Sequence, residues 1–201
     1  MKLIGTYHSP FARRVAAALV SRAIAYEHDD LNGYRDPDRA LALNPVGKVP
    51  VLVLDGGEQL LDSAAILDHI NEALAPEQAL IPAPGGARRL ALRLAAIATT
   101  IYEQSTARHF EGQRGNGCAD AGLLARYRRQ TVGGLEELNR FVVPNGPIGA
   151  LPLDIATLSA VVAFDYAKAT HPDLDCATLA PLLAKVAATL SAHPAFAHTR
   201  P

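Results

Sequence analysis

Residues 44–70 read NPVGKVPVLVLDGGEQLLDSAAILDHI. Val49 to Leu54 is apolar and rich in β-branched residues, which reads as a strand, and Asp55-Gly56-Gly57 is a hairpin turn signal. Glu58 to Leu61 completes the pair. A helix then opens at Asp62-Ser63 with Ile66, Ile70 and Leu74 on one face. Strand, tight turn, strand and helix follow one another with almost no spare residues. Asn44-Pro45 and Gly47 close off whatever lies before them.

Toward the N-terminus the signals alternate. Lys2 to Tyr7 is short and β-compatible and stops at His8-Ser9-Pro10, where Ser is a good N-cap and Pro suits a first helical turn. Phe11, Val15 and Leu19 then recur at i, i+4 and i+8 as one helix face. Ala25 to Asp30 reads as a second strand, broken by Asn32-Gly33, with a short helical or irregular stretch through Arg39 to Leu43. The order is β-α-β-(α)-β-β-α, the pattern of a thioredoxin-like α/β unit.

Toward the C-terminus the composition changes. Pro76, Pro82, Pro84, Gly85 and Gly86 crowd a short stretch that reads as a linker, and everything beyond it reads as helix. Leu90, Leu94, Ile97 and Ile101 mark a long helix to about Glu111, and residues 114–122 break it. Leu124, Tyr127, Leu135, Leu138 and Val142 mark another, ending before residues 144–147. Further helices are expected at Asp154 to Ala169 and at Ala177 to Ala192. The expected domains are thioredoxin-like over residues 1–76, a linker over 77–86, and all-α over 87–201.

Bulk properties exclude some functions. The 201 residues are 49% hydrophobic, enough for one or two cores, and 19 basic residues against 20 acidic give a net charge of −1. That is neither a nucleic-acid footprint nor a polybasic membrane patch. No apolar run approaches the ~18–20 residues that cross a bilayer, and the N-terminus is too short in apolar residues for a signal-peptide core. Cys118 and Cys176 form no C-x-x-C motif, so the expected location is a reducing cytoplasm.

Three local features fall at one end of the expected sheet. Ser9-Pro10 is read on its own as an N-cap with Pro in the first turn, but a hydroxyl there also sits in a positive local potential. A thiol bound beside it would be favoured as thiolate, and lowering a pKa of ~8.5 by ~2 units takes ~2.7 kcal/mol. One charge-assisted hydrogen bond plus a helix dipole is of that order. Val49-Pro50 reads as trans on spacing alone; a cis bond would free the Val49 N–H and C=O for an extended peptide. Asp62-Ser63 reads either as an N-cap or as an anion site at a helix N-terminus.

Taken together, Ser9-Pro10-Phe11-Ala12-Arg13-Arg14-Val15, then Asn44 to Leu52, then Leu61-Asp62-Ser63-Ala64-Ala65-Ile66 resemble the glutathione S-transferase superfamily, in a serine-using bacterial-type or tau/theta-like form. The resemblance spans the whole chain and implies roles at matching positions. Ser9 would donate to the glutathione sulfur, and Val49 would pair its backbone with the cysteinyl part, with Pro50 cis. Asp62 and Ser63 would hold the γ-glutamyl end. Lys48 would either reach the glycine carboxylate or be solvated. Tyr7, Phe11, Tyr102, Thr106 and His109 are the implied candidates for a second-substrate pocket, with Arg13 and Arg108 read as solvated. His109 itself reads more readily as a surface or interhelical residue.

The resemblance implies a cytoplasmic homodimer that uses glutathione as co-substrate, without a metal, to conjugate small electrophiles in detoxification. Two other readings stand beside it: a non-catalytic ligand-binding or protein-interaction module, and a glutathione-dependent reductase or peroxidase. The chain departs from the family pattern at Asp62, where Glu or Gln is commoner. It departs again at Leu151, three residues before Asp154, where a side-chain cap is expected and absent. The zeta-class Ser-Ser-Cys motif is not matched by His8-Ser9-Pro10.

Overall fold

The computed structural model describes residues 1–115, 117–144 and 146–201. Asn116, in the break expected at 114–122, and Asn145, in the turn expected at 144–147, lie outside the described residues. Among the described residues four strands are formed, β1 (Lys2–Ile4), β2 (Glu27–Asp29), β3 (Val51–Val53) and β4 (Gln59–Leu61). The first helices are α1 (Pro10–Ser21), α2 (Pro37–Leu43) and α3 (Ser63–Glu72), followed by a 3₁₀ turn at Pro76–Gln78. Then come α4 (Gly86–Gly112), α5 (Ala121–Arg140), α6 (Ile155–Thr170), α7 (Cys176–Leu179), α8 (Pro181–Leu190) and α9 (Pro194–Ala197).

The sheet order is β2-β1-β3-β4. β1 and β2 are parallel, which requires a crossover, and α1 supplies it. β1 with β3, and β3 with β4, are antiparallel, the second pair closed by the Asp55-Gly56-Gly57 turn with Gly57 at φ +85°. This is the thioredoxin-like α/β arrangement expected from the element order.

Contacts divide the chain into Met1–Ala83 with Ser191–Pro201, and Pro84–Leu190. The terminal segment was expected with the helical domain but belongs to the sheet-containing unit. The buried Arg13 explains this, since its Nε donates to the Thr199 carbonyl at 3.0 Å, and α9 packs on α1. For the same reason α1 is not the one-faced helix that Phe11, Val15 and Leu19 suggest. Residues 12 to 19 are all buried, because sheet, α3 and α9 cover different sides of it.

In the second unit α4, α5 and α6 pack closely. Gly134 lets α5 approach α4, for an added Cβ would stand 2.7 Å from Ile101 Cγ1. The buried Tyr102 hydroxyl donates to the Ser159 carbonyl at 2.7 Å, tying α4 to α6. The helix expected over 177–192 is split, because Pro181 has no N–H to continue α7 and instead opens α8. The capping pair that Leu151 leaves incomplete is made differently. Asp154 itself caps α6 by accepting from Thr157 N at 2.8 Å, while Thr157 Oγ1 accepts from Gly149 N at 3.0 Å. Among the described residues no helix is long and apolar enough to cross a membrane.

Candidate functional site

The sheet register brings three separate stretches to one end of the sheet. Ile4 pairs with Val51 and Val51 with Leu61, so these residues stand in one row across three strands with ~4.8 Å between neighbours. β1 leaves this end toward Ser9, β3 enters it from Val49-Pro50, and β4 leaves it into Asp62-Ser63. Gly5 makes the close approach possible: at φ +145°, an added Cβ would lie 3.0 Å from Ala12 Cβ and 3.1 Å from Val49 Cβ.

Ser9 caps α1 with extended backbone, and Pro10 occupies the first helical position. Its Oγ accepts from Ala12 N at 3.5 Å, a long contact that leaves the oxygen weakly committed. No acceptor for the Ser9 hydroxyl proton is present among the described residues. The side chain is half-buried, at the positive end of a twelve-residue helix.

The Val49–Pro50 peptide is cis, against the trans bond that spacing alone suggests. Among the described residues nothing in the chain hydrogen-bonds the Val49 N–H or C=O. The buried Asn44 fixes the preceding loop: its Nδ2 donates to the Lys48 carbonyl at 2.6 Å and its Oδ1 accepts from Val46 N at 2.9 Å. The Lys48 side chain is exposed and has no ion-pair partner among the described residues.

Asp62 has φ +68° and ψ 130°, a conformation that costs a residue with a Cβ about 1–3 kcal/mol. Its Oδ1 accepts from Ala64 N at 2.7 Å and so caps α3. Ser63 is therefore relieved of capping. Its Oγ accepts twice from Arg14, at 3.0 Å from Nε and 2.7 Å from Nη2. Both residues are buried, Arg14 to 3% exposure and Ser63 to 1%.

This arrangement has close counterparts. Residues 3–78 match the family model described as glutathione S-transferase, N-terminal domain. This match over residues 3–78 and the full-length likenesses that follow support membership of the glutathione S-transferase superfamily. It is 27% identical to the uncharacterized GST-like protein YibF of Escherichia coli K12, over 100% of this chain and 98% of that one. A glutathione S-transferase from Methylobacterium radiotolerans, solved in complex with glutathione sulfonate, is 28% identical with a TM-score of 0.91, covering 100% of this chain and 94% of that one. A glutathione transferase family member from Pseudomonas fluorescens Pf-5, solved with bound glutathione, is 29% identical with a TM-score of 0.88, covering 100% and 98%.

The other candidate residues are placed as follows. Tyr7 is half-buried, its ring stacked on His28 at 4.0 Å and its hydroxyl 2.8 Å from the Tyr26 hydroxyl. Burial first, and then the Tyr26 hydrogen bond, push the Tyr7 hydroxyl well above the ordinary phenol range. Phe11 is half-buried on the first turn of α1.

In the helical unit Tyr102 is fully buried, so it is a core residue and lines no open pocket. The half-buried Thr106 Oγ1 lies 2.8 Å from the Tyr166 hydroxyl, and the exposed His109 Nε2 lies 2.9 Å from Gln113 Nε2. The face shared by residues 102, 106 and 109 thus runs from core to surface. Neither arginine read as solvated is so: Arg13 is buried, and Arg108 pairs with Asp173 at 2.8 Å. Sequence reasoning passed over Arg14, Asn44 and Gly5. Only the N-P-x-G-K spacing hinted at Asn44.

Proposed function

We propose that this chain is a glutathione S-transferase that joins the glutathione thiolate to a small, partly apolar electrophile. The register row Ile4–Val51–Leu61 carries the reading, because it brings a hydroxyl at a helix N-terminus, an unpaired backbone stretch and a second helix N-terminus to one end of the sheet. Ser9 donates to the sulfur and favours thiolate. The Val49 N–H and C=O receive the cysteinyl backbone as an added strand would. Ser63 and Asp62 hold the γ-glutamyl end, and Lys48 lies within reach of the glycine carboxylate.

The chemistry needs no protein nucleophile: the thiol proton passes to solvent, binding orients the thiolate, and attack forms the carbon–sulfur bond. The electrophile's leaving group departs with its electron pair, or its activated double bond opens and the resulting carbanion takes a proton from solvent. The sheet-containing unit holds no cysteine, which supports conjugation over thiol–disulfide exchange on the protein. A homodimer in the cytoplasm, serving detoxification, completes the proposal. Calorimetric titration with glutathione tests it: saturable binding is expected, with a bound thiol that titrates below its free value. Absence of binding would overturn the transferase reading and leave a non-catalytic module.

A further inference from the structure

Arg14 lies on the second turn of α1 and reaches the first residue of α3. A guanidinium only donates hydrogen bonds and stays charged at any pH a protein survives. Its Nε and Nη2 both point at Ser63 Oγ. A hydroxyl oxygen has two lone pairs, and this fork occupies both. The oxygen can then accept nothing more, from solvent or from the α3 backbone, and its own proton must be given away.

Asp62 makes that arrangement stable. By accepting from Ala64 N it does the capping that a serine at a helix start often does itself. The two side chains thus divide the work: Asp62 satisfies the helix and Ser63 is left as a donor. A donor whose oxygen is held by a cation is polarised and strengthened. Its natural acceptor is an anion, approached over the exposed Asp62, Ala64 and Ala65.

We propose that Arg14 is the positioning residue of the carboxylate subsite, making the Ser63 hydroxyl an obligate donor to the α-carboxylate of the γ-glutamyl group. This rests on the glutathione reading above. It differs from a structural tie between α1 and α3 in what it predicts about ligands.

Calorimetry would use glutathione and its analogue lacking the γ-glutamyl α-carboxylate, against wild type, Arg14→Met, Arg14→Lys, Ser63→Ala and Arg14→Met/Ser63→Ala. Wild type should prefer glutathione to the analogue by about tenfold or more, the scale of a hydrogen bond to a charged group. Arg14→Met and Ser63→Ala should each remove most of that preference, and the double variant should lose no more than either single one. Arg14→Lys, which keeps the charge without the fork, should lose several-fold and serves if Arg14→Met does not fold. The thiol pKa of bound glutathione should stay unchanged in all four.

Folded arginine variants with the full preference, or additive losses in the double variant, would overturn the role of Arg14 alone. If Ser63→Ala kept the preference, the subsite itself would be misplaced and the proposal would fall with it. No binding of glutathione by wild type would overturn the functional reading beneath both.

Discussion

Asn44 shows how much a single buried amide can position. It bridges the Lys48 carbonyl and the Val46 N–H, so the loop before Val49-Pro50 is held by one side chain that spans four residues. Replacing it with alanine would remove the partners of the part-buried Lys48 carbonyl and Val46 N–H, a cost of about 1–3 kcal/mol. Asn44→Ala should therefore lower unfolding stability in urea by that order and weaken glutathione binding, while an exposed control such as Glu58→Ala should do neither. An unchanged affinity would show that Val49 does not depend on this loop. Asp62 makes the complementary point. A non-glycine residue at positive φ beside two other candidate features is a strained position, and strained positions gather at functional sites. Nothing in the string Leu61-Asp62-Ser63 announces that strain.

At the scale of elements, much was legible and the omissions share a cause. The strand pair around Asp55-Gly56-Gly57, the helix start at Asp62-Ser63 and the long first helix of the second unit are local patterns, and each formed within a few residues of its expected span. What could not be read depends on partners far away in sequence. α1 displays one apolar stripe, yet is buried all round because α9 returns to it from the end of the chain. The Arg14–Ser63 pair spans 49 positions, and the cis bond at Pro50, which spacing does not encode, was legible only through the family resemblance. Gly5 is the junction where these elements meet. An alanine there would need a positive φ and would push its Cβ into Ala12 and Val49. Gly5→Ala should cost about 2–4 kcal/mol, a size reserved for strain plus overpacking. Thermal unfolding that matched wild type would show that the β1–α1 junction is looser than described.

On the scale of the whole molecule, one buried group should set the acid limit of stability. His171 is fully buried, with Nε2 3.0 Å from Ser105 Oγ. Burial above all, and then the Arg108 charge, bring its pKa down to about 4, with Arg128 adding to the effect and Asp173 opposing it. In the unfolded chain the ring titrates near ~6.5. Above that value both states are neutral and the full stability is present. Below it the unfolded state takes up a proton that the folded state refuses, so stability falls as pH drops from about 6.5 to about 4, by about 3 kcal/mol in all. Urea titrations at pH 7.5 and pH 5 should differ by about 2 kcal/mol from this group, and His171→Gln should flatten the difference; parallel profiles would contradict it.

The claim that joins these scales is that one end of the sheet binds glutathione and activates its thiol through Ser9. Thiolate absorbance of bound glutathione, followed against pH in wild type and in Ser9→Ala, tests it most directly. A midpoint about two units below the free thiol value of ~8.5 is expected in wild type, and a return most of the way toward it in the variant with binding retained. A bound thiol with the same midpoint in both proteins would contradict it.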